Sequence, residues 1–223
     1  FENFVKGNLH HVDSLLLDSI ETFFYELVVF NDTITNDTYH IIREKLDSSY
    51  VDNNQPDNQL DDVHGSFNNS WGMYIINPNA DRDQVIIQVP HPCDDFIAPY
   101  LALNIFIQTN SYAFMISSVG REVLWSEEGP YSNNKSYSDP SRYPFSIFQK
   151  FQEKVTNPLF NHEPHSPLVL AIHSFDNESH LDRNSIILAA GGQKPFTTKP
   201  IRDISKDNFD IINFTHEFPN HEN

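Results

Sequence analysis

The segment 83–95, Asp-Gln-Val-Ile-Ile-Gln-Val-Pro-His-Pro-Cys-Asp-Asp, constrains the fold of this chain more than any other. Its first half is a short run of valine and isoleucine, which is typical of a buried strand. The run ends at Pro90, because proline cannot donate a hydrogen bond to a sheet ladder. The polar residues His91, Asp94 and Asp95 follow. Since open α/β sheets bind ligands beyond the carboxyl ends of their strands, the segment predicts a site as well as a strand.

The rest of the chain alternates apolar strands with amphipathic segments. The sequence predicts further strands at 71–76, 113–118, 167–176, 185–190 and 209–217. It predicts helices at 8–30, 36–47, 96–108 and 146–155. The strand at 71–76 is expected to pair with 85–89 as a β-hairpin. Asp94 or Asp95 is expected to cap the helix that follows the site.

These elements predict one α/β domain over residues 1–223, with a mostly parallel or mixed central sheet flanked by helices. Residues 1–50 are expected to form an N-terminal helical layer, and residues 71–217 a core that resembles a catalytic domain. The polar segment 48–70 predicts a loop between them.

The formal net charge of -17 disfavours nucleic acid and anionic membrane as partners. No apolar run reaches the roughly 18 residues that span a bilayer, so we expect no membrane insertion. A small-molecule or peptide substrate is the expected partner. The sequence leaves the oligomeric state open, and it leaves the compartment open between the cytoplasm and a periplasmic or secreted location.

The polar residues at strand ends predict a zinc site. A catalytic zinc takes three protein ligands, and imidazole and carboxylate groups suit it. The predicted ligands are His91, Asp94 and His173, with Asp95 as the alternative carboxylate. The only cysteine, Cys93, rules out a site made of several thiolates.

Two arginines complete the predicted site. Arg121 follows the strand at 113–118 and could stabilise a developing oxyanion. Arg142, with Asp139 in the same long loop, is the candidate for substrate binding, since its guanidinium can hold a carboxylate with two hydrogen bonds. The alternative for both arginines is a surface salt bridge. His173 could instead be a strand-end histidine that is hydrogen-bonded to a neighbouring carboxylate, either Asp176 or Glu178.

The order His91-x-x-Asp94, Arg121, Arg142 and His173 resembles the zinc carboxypeptidase-like superfamily. That superfamily includes metallocarboxypeptidases, aspartoacylase-like deacylases and, more loosely, N-formylglutamate amidohydrolase-like enzymes. The resemblance covers roughly residues 71–217. It implies an eight-stranded mixed sheet between helical layers, a three-layer sandwich, and hydrolysis of amide bonds by a metal-activated water.

This chain departs from the superfamily pattern at several points. Asp94 stands where the superfamily has glutamate, which shortens the ligand by one methylene group. The general base implied by the resemblance is Glu217, with His216 as the alternative. The sequence therefore predicts a zinc-dependent amidohydrolase or peptidase acting on a small acyl-amino acid or a peptide. The alternative is a non-catalytic binding domain on a degenerate hydrolase scaffold, which the acidic surface and the long polar loops would suit.

Overall fold

The chain divides into two compact units, Phe1–Ser174 and Phe175–Asn223. The computed structural model describes residues 2–18, 24–45, 71–118, 120, 139–141, 143–160, 167–174, 185–188 and 210–213.

The described part of the first unit contains both helices and strands. Its elements are α1 (Glu2–Val5), α2 (Leu9–Asp18), β1 (Tyr25–Asn31), β2 (Thr38–Glu44), β3 (Met73–Ile76), β4 (Arg82–Val89), α3 (Ala98–Gln108), β5 (Ser111–Ile116), α4 (Ile147–Phe160) and β6 (Leu168–Ala171). In the second unit, β7 (Ser185–Leu188) pairs in parallel with β8 (Asp210–Asn213). No helix in the described part of the chain has the length and hydrophobicity that a bilayer span requires.

The first unit is built on a mixed six-stranded sheet with the order β1-β2-β3-β5-β4-β6. The strands β1, β2, β3 and β5 pair antiparallel in succession. The last three strands, β5, β4 and β6, run parallel to one another. This architecture confirms the predicted α/β class with a mixed sheet and flanking helices.

The parallel half of the sheet places α3 and α4 on opposite faces. Ala102 and Phe106 of α3 pack with Ile87 of β4, whereas Phe151 of α4 packs with Ile86 on the other face. Because β-strand side chains alternate between faces, adjacent residues of β4 belong to different cores. The unit therefore has three layers, with the sheet in the middle.

Large aromatic side chains fill the core on the α4 side. Phe151 lies between Phe4 and Tyr74, with ring centroids 6.2 Å and 4.6 Å away. All three side chains are fully buried. Each buried aromatic side chain of this size stabilises the fold by about 1.5–3 kcal/mol relative to leaving it in water. This packing fixes the short helix α1 against the sheet.

The predicted N-terminal helical layer, residues 1–50, is wrong over much of its length. The helix predicted at 8–30 ends at Asp18, and Tyr25–Asn31 is strand β1. Phe24 has a φ of 52°, which a helix cannot accommodate. The helix predicted at 36–47 is also wrong, because Thr38–Glu44 is strand β2, paired with both β1 and β3.

Two predictions around the site are wrong. The expected hairpin between 71–76 and 85–89 does not form, because β5 lies between β3 and β4 and pairs with both. The helix α3 has no side-chain cap: the residue at its N-cap is Ile97. The helix contacts the preceding turn through the backbone, since the Ala98 N–H donates to the Asp95 carbonyl oxygen over 2.8 Å.

Gly72 lets the chain enter β3 close to the end of β5. It has a φ of 101°, and a Cβ atom at this position would lie 2.1 Å from the carbonyl oxygen of Ile116. Only glycine fits such an approach without moving the backbone. The hydroxyl of Tyr25 donates to the Gly72 carbonyl oxygen over 3.0 Å and ties β1 to the same point.

Candidate metal centre

The three parallel strands end at one edge of the sheet, and the candidate site lies there. Beyond the strands themselves, the Ser117 N–H donates to the Val89 carbonyl oxygen over 3.1 Å. The Ile172 N–H donates to the Gln88 carbonyl oxygen over 2.9 Å. These bonds carry the segments after β5 and β6 alongside the end of β4. His91 and His173, each two residues beyond its strand, are thereby brought together, with ring centroids 5.1 Å apart.

The turn after β4 decides which acidic residue faces the histidines. The Asp95 N–H donates to the His91 carbonyl oxygen over 2.8 Å, which closes a single helix-like turn. Residues four apart in such a turn lie on the same side. Asp95 is accordingly buried beside His91, whereas Asp94 is exposed.

The segment 139–141 holds one ring nitrogen of His91. The Nε2 atom lies 2.9 Å from Oδ1 of Asp139 and 3.3 Å from Oγ of Ser141. The same Asp139 oxygen accepts the Ser141 N–H over 2.9 Å, which fixes the carboxylate in a local turn. Asp139 is 2% exposed. Because a carboxylate is an acceptor, this contact assigns the proton to Nε2 of the neutral ring and leaves Nδ1 with a bare lone pair.

Nδ1 of His91 is buried and has no hydrogen-bond partner within the described residues. Leaving such an atom unsatisfied costs about 1–3 kcal/mol. Oδ2 of Asp95 lies 3.9 Å away and also carries lone pairs that it can donate. Two buried donors of electron pairs at this distance are stabilised by a positive charge between them.

Asp95 connects the two histidines. Its Oδ2 lies 2.7 Å from Nδ1 of His173, and its Oδ1 accepts the Ser174 hydroxyl over 3.5 Å. The Asp95 side chain is 4% exposed and that of His173 is 44% exposed. The centre is therefore closed on the Asp95 side and open to solvent at His173.

The donor set fits a metal ion. One ligand atom from each of His91, Asp95 and His173 lies within 4.8 Å of the other two. In tetrahedral zinc, ligands at 2.0–2.2 Å from the metal are roughly 3.3 Å apart. The observed separations of 2.7 Å and 3.9 Å bracket that value. A metal ion bound between these atoms would give the buried Nδ1 of His91 a partner.

The structure brings some of the predicted site residues together but not all of them. It brings together His91, His173 and Asp95, the alternative carboxylate of the sequence analysis, and the group does not include Asp94. Asp139 lies behind His91. Arg121, Arg142, Glu217 and its alternative His216 lie outside the described residues.

Sequence reasoning missed how Asp139 and Ser141 act on His91. Asp-Pro-Ser is a common turn sequence, and an Asp side chain that bonds the backbone two residues later is its usual device. That signal identifies the turn, but it does not identify His91 as the partner, since the two segments are 48 residues apart in the chain.

Comparison of the chain with protein-family models, curated proteins and solved structures found no match. Any functional conclusion therefore rests on the chemistry of the centre itself.

Proposed function

We propose that the chain is a zinc-dependent hydrolase of amide or peptide bonds. The observation that carries this proposal is the buried Nδ1 of His91, which has no hydrogen-bond partner among the described residues and belongs to a group with Asp95 and His173 at the end of three parallel strands. Two imidazoles and one carboxylate are a ligand set that catalytic zinc uses, and they leave a position for a water molecule.

The residues that would hold zinc are His91 through Nδ1, Asp95 through a carboxylate oxygen, and His173. When bound, the ion would acidify a water molecule and polarise a substrate carbonyl. His173 is the solvent-exposed ligand, so substrate would approach from its side.

Asp139 would serve as a positioning residue. Its carboxylate accepts the Nε2 proton of His91, orients the ring and makes Nδ1 a better electron donor. The sequence predicts that Asp139 binds substrate. Its burial behind His91 supports the positioning role instead.

The proposed reaction is hydrolysis of a small acyl-amino acid or a peptide. A C–O bond forms between water and the carbonyl carbon, the C–N bond breaks, and the proton that water loses goes to the departing amine. A base takes that proton, and the resemblance implies Glu217, or alternatively His216, for this role; both lie outside the described residues. Arg121 is proposed to stabilise the oxyanion and Arg142 to anchor a substrate carboxylate.

The fold supports the same assignment. A mixed sheet between helical layers, with metal ligands after adjacent parallel strands, is what a zinc exopeptidase-like sandwich would provide. The order of the predicted site residues in the sequence also resembles that of zinc carboxypeptidase-like proteins. We propose that the chain belongs to that structural class.

The test is metal content followed by turnover. Protein purified without added metal should contain about one zinc per chain by elemental analysis, or take it up on incubation. The zinc-loaded protein should hydrolyse members of a panel of N-acyl-amino acids and short peptides, and a chelator should abolish the activity. His91→Ala and His173→Ala should remove both zinc and activity.

The matched control is His10→Ala, which removes an exposed histidine on α2. This variant should keep its zinc and its activity. A wild-type protein that takes up no zinc would refute the proposal. Stoichiometric zinc without turnover on any substrate would refute the hydrolase and favour a binding domain on the same scaffold.

A further inference from the structure

The residue that follows His173 also contacts the candidate centre. The hydroxyl of Ser174 donates to Oδ1 of Asp95 over 3.5 Å. Nδ1 of His173 lies 2.7 Å from Oδ2 of the same carboxylate. Two consecutive residues of one segment therefore contact the two different oxygens of a single buried carboxylate.

Main-chain hydrogen bonds anchor both partners of this contact to the end of β4. The Ile172 N–H donates to the Gln88 carbonyl oxygen over 2.9 Å and so extends the pairing of β6 with β4. On the other partner, the Asp95 N–H donates to the His91 carbonyl oxygen over 2.8 Å. The contact between the segment 173–174 and Asp95 therefore follows from the fold of this strand end.

The two oxygens of Asp95 have different surroundings. Oδ2 lies near both histidines, 2.7 Å from Nδ1 of His173 and 3.9 Å from Nδ1 of His91. Oδ1 instead contacts the Ser174 hydroxyl. A carboxylate can bind a metal ion through one oxygen or through both. A hydroxyl proton directed at Oδ1 draws electron density from that oxygen and favours Oδ2 as the ligand atom.

We infer that Ser174 is a positioning residue that holds Asp95 as a metal ligand through Oδ2 alone. The inference rests on the proposed function. One ligand atom each from His91, Asp95 and His173 would leave the fourth position of a tetrahedral ion to water. Without the hydroxyl, both oxygens of Asp95 can bind the ion and crowd the position that the water needs. Ser174 acts through Asp95 and does not itself bind the metal.

A neutral hydroxyl suits this position. The Asp95 side chain is 4% exposed, so solvent supplies few of the hydrogen bonds that its oxygens require. A carboxylate that binds a metal through one oxygen keeps negative charge on the other, and ligating carboxylates in metal sites are themselves hydrogen-bonded. Ser174 supplies that hydrogen bond without adding a charge to the centre.

The experiment compares the visible absorption of cobalt(II)-loaded protein in the wild type and in variants of Ser174. Cobalt(II) can replace zinc, and its absorption bands weaken as its coordination number rises from four. The wild type should show the intense bands of a four-coordinate ion. Ser174→Ala and Ser174→Val, which lack the hydroxyl, should lose them. Ser174→Thr has nearly the shape of valine but keeps the hydroxyl, so it should retain the wild-type spectrum.

The matched control is Ser118→Ala, which removes the hydroxyl of an exposed serine beyond the neighbouring strand β5 and should leave the spectrum unchanged. Identical spectra in the wild type and Ser174→Ala would overturn the inference, and so would weak bands in the wild type. If Ser174→Ala fails to fold, the comparison of valine with threonine decides. A wild type that binds neither cobalt nor zinc would instead overturn the proposed function.

Discussion

At the residue scale, the candidate metal centre depends on the different surroundings of the two ring nitrogens of His91. One ring nitrogen is held by Asp139, and the other is buried without a hydrogen-bond partner in the described part of the chain. The two histidines could be picked from the sequence because each follows an apolar strand. The choice of Asp95 over Asp94 depends on a backbone hydrogen bond to His91, which side-chain patterns do not reveal.

Asp139→Asn should lower zinc affinity about 10- to 100-fold, because the amide makes Nδ1 of His91 a weaker donor. Competition with a chelating dye measures the change. Ser141→Ala removes the weaker contact at the same nitrogen and should have a smaller effect. Equal zinc affinity in Asp139→Asn and the wild type would exclude a positioning role for Asp139.

At the scale of elements, the parallel core was predictable and the N-terminal region was not. Strands with continuous apolar runs, such as β4 and β6, lie close to their predicted positions. The segment Tyr25–Asn31 has apolar residues at spacings that suit a helix, yet it is strand β1. Its β-branched and aromatic residues favour a strand, and pairing with β2 decides the outcome.

Gly72→Ala should destabilise the protein by about 3 kcal/mol or more, because the added Cβ would meet the Ile116 carbonyl oxygen at 2.1 Å. Gly7→Ala is the matched control: its φ is also positive, at 74°, but nothing lies within 4 Å of the added Cβ. It should cost only about 1 kcal/mol. Urea unfolding compares the two variants, and equal losses would contradict the close approach of Gly72 to β5.

At the scale of the whole molecule, the order of the strands in the sequence differs from their order in the sheet, and the prediction of a hairpin was therefore wrong. Neighbouring strands in the sequence suggested a hairpin between β3 and β4, but β5 returns through α3 and pairs between them. Such an insertion is a long-range event that local patterns do not encode. The insertion places the ends of β4 and β5 side by side. The pairing of β6 on the other side of β4 brings His173 to His91.

The stability of the first unit should fall in alkaline solution. Burial, and secondarily the carboxylate of Glu44, raises the pKa of Tyr25 above its ordinary value of 10.0. Burial also raises the pKa of Tyr74 well above 10.0. The folded protein therefore keeps phenol protons that the unfolded chain releases. The contribution of these two phenols to the unfolding free energy should be complete below pH 10 and should be lost as the pH rises above 10.

Each of these tyrosines should lower the unfolding free energy by about 1.4 kcal/mol per pH unit above pH 10. Urea unfolding between pH 7 and pH 11.5 measures the slope, and Tyr25→Phe should reduce it. An unfolding free energy that stays constant up to pH 11.5 would show that these phenols are not buried.

Zinc should stabilise the folded chain by mass action. At a free concentration one hundred times its dissociation constant, the ion should add about 2.7 kcal/mol to the unfolding free energy. Thermal unfolding with and without zinc measures the gain. The His91→Ala variant should show none of it, and an equal gain in that variant would place the bound zinc elsewhere.

The most direct test of the metal centre compares Asp95 with its neighbour. Zinc affinity should be measured by competition with a chelating dye for the wild type, Asp95→Asn and Asp94→Asn. We predict that Asp95→Asn weakens zinc binding by more than about 100-fold, because it removes a ligand, not merely a residue that supports one. Asp94→Asn, which alters an exposed carboxylate, should bind zinc as the wild type does. Equal affinities in all three proteins, or a loss confined to Asp94→Asn, would contradict the centre formed by His91, Asp95 and His173.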